Sequence, residues 1–258
     1  MRAKMRIAVF SDIHGNPYAC QAVLEAARRA GADRLVAAGD LCLGGSDPAG
    51  CVTMLQSAGV EAVYGNTEGY LRAPELEPPD ELHRRKWPPI QAAAYWTLEQ
   101  LAPAQRAWLA ALPFELRFAP TGRPDDDLLV VHANPRDVET VICPPPDEQV
   151  RLWGAVRQPD NDPALAAMLE GVTAGVVAFG HLHTVFLRRW QRLELACVAG
   201  CSLPGIDHDR RARFSLFTWD GQAWQIERRW IEYDAQQEIA ALQASDLPSR
   251  VFFLRYFD

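Results

Sequence analysis

The chain has 258 residues, 48% apolar and 23% charged, with a formal net charge of −7. That composition can fill a hydrophobic core and excludes a disordered or collagen-like chain. No apolar run approaches the ~18 residues of a membrane span, and an acidic balance with a pI near 5.4 disfavours a nucleic acid polymer as partner, so any phosphate must be held by a local field.

The opening MRAKMRIAVFSDIHGN is interrupted by Asp12 and His14 too soon for a secretory signal. Six cysteines without CxxC spacing read as small buried side chains in a reducing compartment, so a cytoplasmic protein is expected. Residues 6–11 read as a buried strand, followed by a helix from Tyr18 to Ala30 behind Pro17 and stopped by Gly31. A strand at 34–38, a helix at 48–58 and a strand at 60–64 complete a βαβαβ alternation. This predicts a parallel sheet whose ligand site lies beyond the carboxyl ends of its strands.

From 67 to about 118 the character changes, and helical patterns at 90–101 and 103–112 predict a helical insertion. Strands are expected again at 127–131, 176–179 and 193–198, with a Pro-rich loop at 143–146 and a helix at 163–171 between them. The stretch 212–258 reads as a hairpin turning at Asp220-Gly221, then a helix at 234–244. The chain is expected to form a single α/β domain.

Five short clusters each follow an expected strand: Asp12-Ile13-His14, Gly39-Asp40, Gly65-Asn66, His132 and Gly180-His181-Leu182-His183. A shuffled chain of this composition would contain Gly-His-x-His only about 0.01 times, whereas Gly-Asp is expected about once and means nothing alone. Residues i and i+2 of an extended segment point to one side, so Asp12 with His14, and His181 with His183, can meet an ion. Carboxylate, imidazole and amide oxygen suit a borderline divalent ion. Seven donors exceed one tetrahedral shell and suffice for two ions sharing a carboxylate.

Each residue also has a plainer reading. A lone histidine is usually a hydrogen-bonded core residue, and His132 by itself deserves no more. Gly39 and Gly65 read as turn glycines. Arg136 offers a phosphate contact, against a surface ion pair with Asp137 or Glu139. Trp87, Tyr95, Trp96 and Trp108 read mostly as helix packing, while Tyr70 and Trp87 lie near enough to the third cluster to line a pocket for a base or aryl group.

The order DxH, GD, GN, H, GHxH, with HANPRDVE around the fourth cluster, resembles that of the calcineurin-like metallophosphoesterase superfamily, especially its compact bacterial and archaeal phosphodiesterase branch. The resemblance implies a four-layer α/β/β/α sandwich. It also implies two divalent ions (Mn, Fe, Zn or Ni, with Mn favoured in vitro), the first on Asp12, His14 and His183, the second on Asn66, His132 and His181, with Asp40 bridging. The implied activity is hydrolysis of a small phosphorylated substrate by in-line attack of a metal-bridging hydroxide. Many members carry a histidine after the Gly-Asn of the third motif; this chain reads Gly65-Asn66-Thr67-Glu68, and threonine delivers no proton at neutral pH. The branch resembled often lacks that histidine and is associated with phosphodiesters, so the resemblance favours diesters over monoesters, with Thr67, Glu68 and Arg136 as candidate supporting groups and His83 and His208 as substitutes for the missing histidine. The alternatives are a phosphomonoesterase or protein phosphatase, and a protein-interaction scaffold on the same fold, as the retromer scaffold subunit is. Loss of ligands marks that last route.

Overall fold

The computed structural model describes residues 5–75, 84, 86–205 and 207–258. In chain order the elements are β1 (Met5–Phe10), α1 (Pro17–Arg29), β2 (Arg34–Ala38), α2 (Pro48–Ser57), β3 (Glu61–Val63), α3 (Asn66–Arg72), α4 (Trp87–Gln100), α5 (Pro103–Ala110), β4 (Leu116–Phe118) and β5 (Leu128–Val130). There follow α6 (Pro146–Trp153), α7 (Pro163–Leu169), β6 (Val176–Phe179), β7 (Phe186–Trp190), β8 (Leu193–Cys197), β9 (Ala212–Trp219), β10 (Trp224–Ile231), α8 (Ala235–Ala244) and α9 (Arg250–Leu254), the last running into a 3₁₀ turn at Arg255–Phe257.

Two five-stranded sheets result, ordered β10-β9-β1-β2-β3 and β4-β5-β6-β8-β7. Both are mixed. β1, β2 and β3 run parallel, as do β5, β6 and β8, whereas β9, β10, β4 and β7 pair antiparallel. The expected parallel run β1-β2-β3 thus forms one side of the first sheet, with the antiparallel pair β9 and β10 beyond β1, whereas in the second sheet the parallel strands are central and β4 and β7 flank them.

Strand alternation builds the layers. In β1, Ile7 and Val9 point into a core shared with Val130, Val176 and Ala178 of the other sheet. Ala8 and Phe10 point the opposite way, onto a core containing Val23 and Ala27 of α1. On the second sheet Val177 and Phe179 face Leu165 and Met168 of α7. Helix, sheet, sheet and helix are therefore stacked around three apolar layers, the α/β/β/α arrangement.

Several local expectations are corrected. The segment 67–118 is not wholly helical, because Leu116–Phe118 is a strand paired to β5. Pro146 opens α6, since proline at the first helical turn has no amide hydrogen to waste. β7 was not anticipated: Arg188 and Arg189 break its apolar run, yet Arg188 is buried and bound by Gln158, Asp160 and the Cys143 carbonyl. The hairpin turns where expected, with Asp220 Oδ1 accepting from the amides of Gln222 and Ala223 and Gly221 at φ 105°. All six cysteines are free and buried. No helix among the described residues is long and apolar enough to cross a membrane.

Candidate metal centre

The parallel strands of both sheets end at one place, and the loops leaving them are stitched together. Asp12 N–H donates to Gly39 O, His14 N–H to Asp40 O and Gly180 N–H to His132 O, while Cys201 and Ser202 from the second sheet donate to Ser11 O and Asp12 O of the first, all at 2.7–3.1 Å. Two donor groups converge there: Asp12, His14 and His183, and Asp40, His132 and His181. The convergence does not come from extended spacing. Asp12, His14, Asp40, His181 and His183 all adopt left-handed backbone, φ 50–70°, a conformation that costs a non-glycine residue of order 1–3 kcal/mol and concentrates at functional sites.

Two glycines make the approach possible. A Cβ on Gly39 would lie 2.6 Å from His132 Nδ1, and one on Gly65 would collide with Asp40 Oδ1. These positions therefore serve close packing of ligand side chains as well as turning the chain.

Each histidine donates one ring nitrogen to a backbone carbonyl: His14 Nδ1 to Leu43 O at 3.0 Å, His132 Nδ1 to Ala38 O at 2.7 Å, His183 Nδ1 to Leu203 O at 2.7 Å and His181 Nε2 to Glu139 O at 2.9 Å. A carbonyl only accepts, so those nitrogens carry the hydrogens and the others present lone pairs to the centre. There His14 Nε2 lies 3.1 Å from His183 Nε2, and His132 Nε2 lies 3.2 Å from His181 Nδ1. Bare nitrogens that close repel unless a cation lies between them. Adjacent ligands on one ion, with bonds of about 2.0–2.1 Å, fall about 3 Å apart, so the donor set fits.

Asp40 stands between the two groups. Its Oδ1 is 3.4 Å from His132 Nε2 and its Oδ2 3.6 Å from His14 Nε2. Asp12 Oδ1 is 3.3 Å from His183 Nε2, and the Asp12 carboxylate also accepts the His181 amide at 3.1–3.2 Å. Titration follows this crowding. Burial and the neighbouring imidazoles push His14 down to about 4 and His181 down to about 3. Burial also lowers His132 and His183 and is the largest single influence on each, but Asp12, Asp40 and the carbonyls of Ala38 and Leu203 together outweigh it and raise both. Buried carboxylates here call for positive charge.

The remaining candidates sit as follows. Asn66 turns Oδ1 toward His132 Nε2 at 2.9 Å, because its Nδ2 donates to Tyr70 Oη at 3.1 Å and Tyr70 Oη donates to Glu139 Oε1 at 2.8 Å. Glu139 thereby steadies both Asn66 and, through its carbonyl, His181. Thr67 spends its N–H and its hydroxyl on Asp40 Oδ1, at 3.0 and 2.9 Å. Glu68 is buried and accepts the amides of Asp40, Leu41 and Gly65 at 2.8–2.9 Å; at the third position of α3 it reaches back to the residue preceding the helix. Arg136 points away, donating to the carbonyls of Ala167 and Glu170 near the end of α7. His208 is exposed and borders an open cavity shared with His181 and His183. His83 lies outside the described residues. Tyr70 lines the cavity over the centre, whereas Trp87 is buried edge-on against it at 5.0 Å between ring centroids. Tyr70 had a legible spacing, four residues after Asn66 on one helix face; Glu139, in a loop, had none.

Against protein-family profiles, residues 5–219 match the calcineurin-like phosphoesterase superfamily domain. A metallophosphoesterase from Sphaerobacter thermophilus aligns with a TM-score of 0.71 at 22% identity, covering 98% of this chain and 99% of that one. A hypothetical protein from Pyrococcus horikoshii OT3 aligns with a TM-score of 0.72 at 16% identity, covering 98% and 97%. At those identities the likeness is one of fold. A comparison with curated proteins finds no match.

Proposed function

The chain belongs to the calcineurin-like phosphoesterase superfamily, and on that premise we propose that it is a dinuclear-metal hydrolase of a small phosphoester, with phosphodiesters preferred over monoesters. Asp12, His14 and His183 hold one divalent ion, Asn66, His132 and His181 the other, and Asp40 is shared. When bound, such ions polarise phosphoryl oxygens and lower the pKa of water. The observation that carries this reading is the set of four imidazoles, each tied by one N–H to a backbone carbonyl, with their free nitrogens converging on two buried carboxylates.

The chain's own contribution is orientation and charge. Asp12 and Asp40 offset only part of two dications, so the site attracts a phosphoester anion although the whole chain is acidic. Thr67, committed to Asp40 through both of its donors, leaves no proton for a leaving oxygen, and this supports esters with the better leaving groups. The nitrogen and oxygen donors suit Mn, Fe, Zn or Ni, with manganese as the ion for assay. Six free, buried cysteines support a cytoplasmic location.

The test is Mn²⁺-dependent hydrolysis of bis(p-nitrophenyl) phosphate together with metal content, before and after His181→Ala. The substitution should remove the second ion and most of the turnover; a variant as fast as the parent would end the assignment. Equal turnover of p-nitrophenyl phosphate and its diester would end the diester preference.

A further inference from the structure

The match to the family profile stops at residue 219, yet the wall of the metal centre is completed by the last nine residues. The segment of α9 and its 3₁₀ turn carries two aromatic pairs four residues apart. Phe253 and Phe257 are buried, Phe253 so close to Gly44 that a Cβ there would lie 2.6 Å from its Cε1, and the Phe257 carbonyl is bound by Arg210. That pair anchors the segment. The other pair, Phe252 and Tyr256, meets edge to face at 6.1 Å between centroids and lines the cavity over the centre. Tyr256 remains 36% exposed, and its ring centroid is 6.4 Å from that of His183.

This cavity, about 250 Å³, is lined by His14 and Asp40 of the centre as well as by those rings, and by Lys86 and Ile90 at the start of α4. Its volume lies below the ~300–1,000 Å³ of sites for drug-sized ligands, so it has room for a phosphoryl group and one flat ring rather than an extended chain. Tyr256 also borders the larger cavity of about 540 Å³ that contains Arg255 and His208, where the rest of a larger substrate can lie. Accessible aromatic faces beside a reaction centre gain most from stacking a planar partner.

We propose that this C-terminal segment selects the substrate: Phe252 and Tyr256 receive a planar aromatic substituent of the phosphoester, a nucleobase or an aryl ring. The proposal rests on the phosphoesterase reading above. It is tested by calorimetric binding of three phosphate monoesters, adenosine 5′-monophosphate, phenyl phosphate and glycerol 3-phosphate, to the Mn²⁺-loaded full chain. The nucleotide should bind about tenfold or more tighter than glycerol 3-phosphate, the size of one base–aromatic stack. Tyr256→Ala and Phe252→Ala should erase that ratio, Tyr256→Phe should keep it, and metal content should stay at two ions in each. Phenyl phosphate equal to the nucleotide would identify the ring alone as the recognised element, and weaker phenyl phosphate the nucleoside; both support the proposal. Equal binding of the nucleotide and glycerol 3-phosphate, or a ratio that survives both alanine variants, would overturn it alone. Failure of every ester to bind a metal-loaded chain would overturn it, alone if that chain still hydrolyses bis(p-nitrophenyl) phosphate and together with the phosphoesterase reading if it does not.

Discussion

Replacing Glu68 with glutamine removes one acceptor from beneath the Asp40 backbone. In the parent, Oε2 accepts the amides of Asp40 and Gly65 at 2.9 and 2.8 Å, and Oε1 that of Leu41 at 2.9 Å. A glutamine can turn its oxygen to the first two, but its NH₂ then faces the Leu41 N–H, donor against donor. Losing one hydrogen bond to a buried charged acceptor costs about 1.5–3 kcal/mol, and two more are weakened by loss of charge. Relief of the burial and of the Asp40 charge that raise the Glu68 carboxyl returns part of this. The net is about 2 kcal/mol, a fall of roughly 4–8 °C in Tm for a chain of this length. Glu68→Ala, leaving three amides without their acceptor, should cost more. Asp40 and Thr67 then lose their fixed position, so apparent Mn²⁺ affinity should weaken about 10–100-fold. The assays are thermal unfolding of both variants and a Mn²⁺ titration followed by calorimetry. If Glu68→Gln melts with the parent and binds metal equally well, Glu68 is no anchor. If it keeps stability and metal but loses turnover, Glu68 acts on substrate instead and the positioning argument is wrong.

Tyr70→Phe breaks the chain from Glu139 to the Asn66 amide, so the second ion should bind about 10–100-fold more weakly while Tm shifts little; calorimetric titration of Mn²⁺ separates these effects. Stripping metal with EDTA leaves Asp12 and Asp40 buried without a cation, and restoring Mn²⁺ to 100 times its Kd should return about 2.7 kcal/mol, read as a reversible rise in Tm. Burial pushes the Glu238 carboxyl from 4.5 up to about 7, against two hydrogen bonds from Ser46. The native state therefore holds this proton more tightly than the unfolded chain. Its stabilising contribution is complete below about pH 4.5 and is lost as pH rises to about 7, on the order of 3 kcal/mol. Glu238→Gln should flatten that part of the stability profile in urea unfolding at stepped pH, and an unchanged slope would refute the assignment.

The seven proposed ligands were legible because each directly follows an apolar run that could only be a buried strand, and parallel strands bring such ends to one edge. The βαβ alternation likewise implied covering helices. Leu116–Phe118, with Arg117 at its middle, and Phe186–Trp190, interrupted by Arg188 and Arg189, carry too little apolar pattern to read. They exist because neighbouring strands offer them hydrogen bonds and, for Arg188, buried acceptors.

Residue identity alone therefore determined which side chains could donate to a metal, and chain order determined that strand ends would gather them. Only tertiary structure decided which imidazole nitrogen faces the centre. That choice belongs to the carbonyls of Ala38, Leu43, Glu139 and Leu203, and a backbone carbonyl is the same in every residue. It likewise decided that Glu68 holds Asp40 rather than a substrate, and that the final aromatic residues wall the site, since neither follows from neighbours in sequence. Both arise where segments tens to hundreds of residues apart are forced into contact by burying the sheets between their helices.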